Sequence, residues 1–396
     1  MQTQKRKAAP LLAAAMLCAL ALSGCGSKET ATFAGGSGTK EDPWQIATVE
    51  QLGKVRDDLT KSYILTADLD LGSEAFTPIG TFEPKSDAEE DAETPKDSAA
   101  FTGHFDGDGH KLSNIVINGE NAGAAGLFGC VTGDGSGVED LAVENLKVSG
   151  GSYTGGVIGY GDYGATVKGI KLTGKNEVSG TFLVGGIVGA AHCDISDCEA
   201  AANIVLTEAG KQGAGIIVGG EEDGNVENCT ASGSVKAGDG CYSIGGLAGC
   251  FQNSAYAKNC TAKDITITAG ENASLVGGLT GHAGTTEGSP TAITGCKVEN
   301  VSIQAGGTAQ RIGGVIGGGF YMAQFAQYYA EPLPFQVSGC TVSGVKLTGG
   351  KLVGSIAGYI YSNSTADGSV ADVTWNGAAL EAKAGADAST PVSELS

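Results

Sequence analysis

Aromatic residues are scarce in this 396-residue chain, at 6%, and nine prolines stand against 66 glycines. Glycine in that amount, without proline enrichment and without a glycine at every third position, excludes a collagen helix and argues against simple disorder. It suits a fold with many tight turns. Basic residues are few as well: 24 Lys and Arg face 44 Asp and Glu, a formal charge of −20. Residues 1–24 hold Lys5, Arg6 and Lys7 and no acid, so the rest of the chain stands at −23. A surface of that sign repels phosphate backbones, and nucleic acid is not an expected partner. Signatures of catalysis are missing too. None of His104, His110, His192 and His282 is followed by Glu, so there is no HExxH zinc motif. There is no G-x-S-x-G elbow and no CxxC pair. Asp106-Gly-Asp108-Gly lacks the later acidic ligand of a calcium loop and reads as a tight turn between strands. No metal and no cofactor is expected.

One long apolar run is present, at the start. Lys5-Arg-Lys7 precedes an apolar stretch from Leu11 to Leu22 that is too short to span a bilayer. It ends Leu22-Ser23-Gly24-Cys25, which resembles the lipobox of bacterial lipoproteins. The resemblance implies that residues 1–24 are a signal peptide, and that Cys25 becomes the lipidated N-terminus. The mature protein would then sit on the extracellular face of the cell membrane, tethered by lipid. Residues 25–41, rich in Gly, Ser, Thr and Lys, read as a flexible tether.

What is abundant is a repeat. A small-Gly-aliphatic-x-Gly phrase occurs eight times, from Ala125-Gly-Leu-Phe-Gly129 and Gly155-Gly-Val-Ile-Gly159 to Gly313-Gly-Val-Ile-Gly317 and Gly354-Ser-Ile-Ala-Gly358. Its closing glycines are spaced 30, 30, 30, 30, 32, 36 and 41 residues apart. A period of that size means stacked units. Two residues before each closing Gly stands an aliphatic: Leu127, Val157, Ile187, Ile217, Leu247, Leu279, Val315 and Ile356. A second column runs Leu141, Ile170, Cys198, Cys229, Cys260, Cys296, Cys340 and Val373, and the residue after each is mostly polar. That alternation marks a strand with one buried face. A third strand carries pairs such as Ile265 and Ile267, or Val301 and Ile303. Three short strands per period of about 30 residues predict an all-β parallel β-helix, like residues stacking at about 4.8 Å per coil.

Five of the eleven cysteines share one column of this scheme. Stacked neighbours lie near bridging distance, but their side chains run parallel, so they are expected as buried free thiols rather than disulfides. Cys130 and Cys250 are four coils apart and cannot pair.

Gly-Gly-Leu-Ala-Gly249, Gly-Gly-Leu-Thr-Gly281 and Ala-Gly-Leu-Phe-Gly129 resemble the GLUG repeat of bacterial surface proteins. Gly38-Thr-Lys-Glu-Asp-Pro-Trp-Gln-Ile46, Tyr63-Ile-Leu-Thr-Ala-Asp-Leu-Asp-Leu71 and Phe101-Thr-Gly-His-Phe-Asp-Gly-Asp-Gly-His110 are similar to the opening of such proteins. The resemblance implies a right-handed β-helix in an adhesin-like protein. It also extends to repeats beside the catalytic domain of IgA-cleaving metallopeptidases, whose zinc motif this chain lacks. Residues 49–58 read as a short amphipathic helix able to cap the first coil. The expected organisation is a cap with first coils over 42–124, containing an acidic insertion at about 83–100, then repeats over 125–377 and a disordered tail over 378–396.

Function is sought in the turns that follow the closing glycines. From each closing Gly to the next inner apolar residue the steps are 9, 8, 6, 7, 8, 12, 20 and 12, whereas the rest of the coil varies only between 21 and 24. Insertions confined to one face of a repeat protein often mark its binding face. These turns hold Tyr160, Tyr163, Phe251, Tyr256, Phe320, Tyr321, Phe325, Tyr328, Tyr329, Phe335, Tyr359 and Tyr361, half of the chain's 24 Phe, Tyr and Trp residues. Such rings stack on sugars or anchor a protein partner. All but Phe335 are binding candidates for a glycan or protein ligand. The competing reading is a polysaccharide lyase or hydrolase that works through Glu221, Glu222 and Asp223, with Asp162 and Asp194 on neighbouring coils. Binding without catalysis is the expectation.

Overall fold

The computed structural model describes residues 32–82, 99–120, 122–285, 290–319, 334–361, 364–381 and 384–386. Within the unit Phe33–Ser396 these residues form a parallel β-helix of three sheets with 24, 8 and 9 strands. One coil shows the plan. Gly137–Glu139 and Ala142–Gly150 lie in the first sheet, Tyr153–Gly155 in the second and Ile158–Gly161 in the third, and Thr166–Lys168 starts the next coil. Equivalent residues pair in parallel register, as Ile158 does with Phe128 and Val188.

The aliphatic column stands at the bend between the second and third sheets. Val157 N donates to Ile187 O at 3.0 Å, Ile187 N to Ile217 O at 3.1 Å and Ile217 N to Leu247 O at 2.8 Å. The eight side chains point into one continuous core and are fully buried. The cysteine column also stands at a bend, inside the first sheet. The residue before each member is left-handed: φ is 47° at Asp140, 55° at Asp197 and Asn228, and 54° at Asn259, with glycine at 169, 295 and 339. Asp, Asn and Gly are the residues that reach this region at low cost. The Asx side chains also stack, Asn228 Nδ2 donating to Asp197 Oδ1 at 3.1 Å.

The thiols of Cys198, Cys229, Cys260, Cys296 and Cys340 are buried and unbridged. They donate to nearby carbonyls, Cys198 Sγ to Ser196 O at 3.1 Å and Cys260 Sγ to Val226 O at 3.3 Å. Hydrogen bonds within the stack, together with burial, push the Cys229 and Cys296 thiols far above the ordinary thiol range. Cys130 and Cys250 lie four strands apart in the third sheet.

At the N-terminal end Val49–Lys54 is an α-helix, followed by a 3-10 turn at Val55–Asp57. The Thr48 hydroxyl accepts from Gln51 N at 3.2 Å, and Gln51 Oε1 accepts from Ala47 N at 2.7 Å, a reciprocal cap. Leu52 and Val55 press into the core.

Three expectations need correction. The tether predicted to end at 41 is folded from Phe33 on: Ala34 N donates to Gln45 O at 2.9 Å, and the Phe33 ring stacks on Trp44 at 5.3 Å. The tail predicted from 378 includes Ala378–Ala379, antiparallel to Thr374–Trp375, and Ala384–Ala386, which extends the third sheet. In the last coil the register is shifted by a bulge. Ala366 pairs with Val337, and Val370 with Val342, so the final turn is shorter than its count suggested. Gly368 rather than Val373 faces Cys340. The signal peptide, Cys25, residues 83–98 of the insertion expected at about 83–100, and residues 387–396 lie outside the described residues.

Candidate functional site

The second sheet folds back against the outer face of the third, and the closing glycine lies where the two meet. A Cβ on Gly219 would stand 2.4 Å from the carbonyl carbon of Leu183, and one on Gly249 2.7 Å from Ala214 N. No side chain fits there. Beside these contacts runs a seam of side chains that neither sheet exposes fully. In the N-terminal coils it is aromatic and apolar, with Tyr160, Cys130, Ala190 and Ala124 buried against Tyr153, Leu183 and Phe82. Further along it is polar. Gln212 Nε2 donates to Cys250 Sγ at 3.8 Å, and Ser243 Oγ lies 2.6 Å from His282 Nδ1. Burial holds His282 down to about 3, so the ring is neutral at physiological pH.

The turns from the third sheet to the first form one edge, with the predicted acids and rings distributed over it and beneath it. Tyr163, 57% exposed, is the candidate ring that stands out into solvent among the described residues, and Tyr256 is half-buried. Tyr160, Tyr359 and Tyr361 are buried, and Phe251 and Phe335 lie in the main core. Phe320, Tyr321, Phe325, Tyr328 and Tyr329 lie outside the described residues. The buried rings correct the sequence reading. Their strands continue past the closing glycine, to Gly161 and to Gln252, where a turn was expected at once.

Over the shortest turn the edge is closed by one tyrosine. The Tyr163 hydroxyl donates to Asp223 Oδ2 at 2.8 Å, spanning the coil between them. Its ring lies on His192 with centroids 5.1 Å apart. His192 Nε2 is 3.9 Å from Glu222 Oε2, and Asn253 Nδ2 donates to Glu222 Oε1 at 2.5 Å. Burial, the Asp223 bond and the charges of Asp223, Glu222 and Asp162 hold the Tyr163 hydroxyl far above its ordinary range. Asp162 is buried, accepting from the Thr132 hydroxyl at 3.0 Å, and Asp194 is exposed and bonded to Asn225.

Glu221 parts from its neighbours. It is 1% exposed and shares a core-facing column with Ala191 and Phe251. Oε1 accepts from Gly224 N at 3.2 Å, while Oε2 has no hydrogen-bond partner among the described residues. Burial pushes its carboxyl well above the usual carboxylate range. Glu221 and Asp223 therefore do not present a carboxylate pair to solvent. Among the described residues no group of three or more His, Cys, Asp or Glu is placed to hold a metal ion. Missed in the sequence were Phe82, Tyr153 and Phe182, whose rings extend the cluster around Tyr160, and the Ser243–His282 pair.

No family model matches the chain. Over 191 residues, 46% of this chain, it is 35% identical to halomucin of Haloquadratum walsbyi. Over 133 residues, 32% of this chain, it is 32% identical to a protein of Evansella cellulosilytica named as a Gly-rich membrane protein. The matched segments amount to 2% and 13% of those relatives, so the chain spans a small part of their length. Among solved structures, a candidate immunoglobulin A1 protease of Bacteroides ovatus aligns over 80% of both chains at 18% identity and a TM-score of 0.48. A second IgA1 protease aligns over 85% of this chain and 21% of its own, at 18% identity and a TM-score of 0.46.

Proposed function

We propose that the protein is a lipid-anchored GLUG-type surface solenoid that binds a glycan or a partner surface protein along the turn edge and does not act on it chemically. The observation that carries this reading is the edge itself. Almost all length variation falls in one turn per coil, and the exposed candidate ring, Tyr163, stands there among acids that a rigid stack of sheets holds in place. Solenoids use such variable edges on invariant coils for recognition. The burial of Glu221 in a core-facing column speaks against the polysaccharide-enzyme reading. An inverting or retaining pair needs both carboxyl groups on the sugar, about 5–9.5 Å apart, and Glu221 faces the core. The membrane relative's name fits an envelope location, and the Leu22-Ser23-Gly24-Cys25 sequence supplies the anchor.

The test is a screen of the mature protein on glycan and extracellular-matrix arrays, run beside an assay for new reducing or unsaturated sugar ends. Saturable binding without new ends supports the proposal. New ends that disappear in a Glu222→Gln or Asp223→Asn variant would replace it with the enzyme reading.

A further inference from the structure

Six rings form a continuous chain of contacts along the seam and onto the turn edge. Phe182 meets Tyr153 with centroids 6.1 Å apart, Tyr153 meets Phe82 at 5.4 Å and Tyr160 at 5.3 Å, and Phe82 meets Tyr160 at 4.7 Å. Tyr160 then meets His192 at 5.8 Å, and His192 meets Tyr163 at 5.1 Å. The order along the strip is not the order of the sequence: Phe82 follows Ile79, whose coil stacks on that of Phe128, two coils before Tyr160, and Tyr163 bridges to Asp223 two coils on. Tyr160 is buried and serves as the floor, whereas Phe82, Tyr153 and Phe182 are partly buried and Tyr163 is open. Six rings in contact, with Tyr163 open to solvent and Phe82, Tyr153, Phe182 and His192 partly so, make a continuous aromatic strip.

The electrostatics of the strip's outer end select among occupants. Asp223 and Glu222 flank Tyr163, Asp162 lies beneath it, and Asp194 is exposed on the neighbouring coil. Among the described residues, His192 reaches this end, 3.9 Å from Glu222. Ring faces carry negative quadrupole density, so they add to the attraction for a cation rather than offset it. A neutral sugar could stack on the rings and donate its hydroxyls to the acids but would lack the charge attraction that a cation gains, and an acidic glycan would be repelled by a chain of net charge −20.

We propose that this strip, from Phe182 to Tyr163 with Glu222 and Asp223 at its end, is a docking surface for a Lys- or Arg-bearing segment of a partner protein. The inference rests on the binding reading above and narrows it to one site and one partner chemistry. The partner's aliphatic stems and guanidinium or ammonium heads lie along the partly buried rings, and a terminal cation sits beside Tyr163 against the carboxylates of Glu222 and Asp223.

The probe is a fluorescent peptide of alternating Arg and Gly, titrated onto the mature protein at about 0.15 M ionic strength, where long-range attraction is screened. Tyr163→Ala should weaken binding about three- to fivefold, and the Tyr153→Ala, Tyr163→Ala double variant about tenfold, while Tyr163→Phe keeps the ring and most of the affinity. Asp223→Asn should weaken it as well. Glu199→Gln, an exposed acid on the flat first sheet, should change nothing. Tyr163 is exposed, so its variants remain informative even where Tyr153→Ala lowers the melting temperature. The proposal is overturned if the ring variants bind the peptide as the wild type does, because attraction is then general to the acidic surface. It is equally overturned if chitohexaose, a neutral glycan, binds this strip and displaces the peptide. Array binding by the wild type that survives both ring variants would remove this site and leave the wider binding reading standing.

Discussion

Gly219 lies directly against Leu183 of the preceding coil, so closely that a Cβ would come within 2.4 Å of the Leu183 carbonyl carbon. This contact explains the closing glycine of the repeat better than a turn requirement does, since Gly219 is not a left-handed residue, whereas Leu183 opposite it is, at φ 45°. Two backbones approach with nothing between them, and the small-Gly-aliphatic-x-Gly phrase is the trace of that approach.

Gly219→Ala and Gly249→Ala should therefore each destabilise by about 1–3 kcal/mol or more, the usual range for forcing a methyl into a packed interior. Gly307→Ala, where a Cβ meets nothing within 4 Å, should shift the melting point little. Thermal melting of the three variants checks this. Equal, small effects at all three positions would refute the close approach of the sheets.

Glu221 should impose a pH dependence on stability. Its folded carboxyl is raised well above the unfolded value by burial. Above about pH 4.3, where the unfolded chain releases this proton and the folded chain keeps it, the unfolded state binds fewer protons. Stability then falls as pH rises, until the folded carboxyl itself ionises. The Glu221→Gln variant should match the wild type near pH 4 and melt higher than it at pH 8. Parallel melting curves for the two proteins over that range would show that Glu221 is solvated.

Cys229, Cys260 and Cys296 should be reduced and resist alkylation until denaturant is added, because their sulfur atoms are buried and donate to backbone carbonyls. Mass spectrometry after labelling with and without denaturant reads the difference. Rapid native labelling would contradict the column. Cys260→Asp should destabilise by several kcal/mol, on the order of 2–7, since it buries an acid without a partner.

Much of this was legible in the sequence, and the reasons are specific. The column from Leu127 to Ile356 and the column from Cys198 to Cys340 could be read because a parallel stack puts like residues above one another. Val370 was misplaced because a bulge between Val337 and Cys340 shifts the last register, and no local residue signals it. Tyr160, Tyr359 and Phe251 were read as turn aromatics because they follow the closing glycine. Their strands are buried on both faces, one by the core and one by the second sheet, so no polar alternation marks where strand ends and turn begins. The aromatic strip could not be read at all, since Phe82 and Tyr163 are 81 residues apart in sequence and meet through intervening rings.

The anchor has its own test. Cys25→Ala should abolish incorporation of a fatty-acid analogue and release the protein or its precursor from the membrane fraction. Equal labelling of variant and wild type would contradict the lipobox reading.

The most direct measurement of the central claim compares two faces of the same solenoid. Beads carrying the wild type, an edge variant and a flat-face variant are assayed for attachment to the array ligand or to cells. The edge variant combines Tyr163→Ala and Tyr256→Ala with replacement of residues 320–334 by a short Gly/Asn turn. The flat-face variant carries Thr230→Lys, Thr261→Lys and Thr341→Lys on the outer face of the first sheet. Recognition by the turn edge predicts that the edge variant keeps its β-rich spectrum and loses at least about tenfold in affinity, 1.4 kcal/mol, while the flat-face variant binds as the wild type does. Undiminished attachment by a folded edge variant, with loss in the flat-face variant, would contradict it.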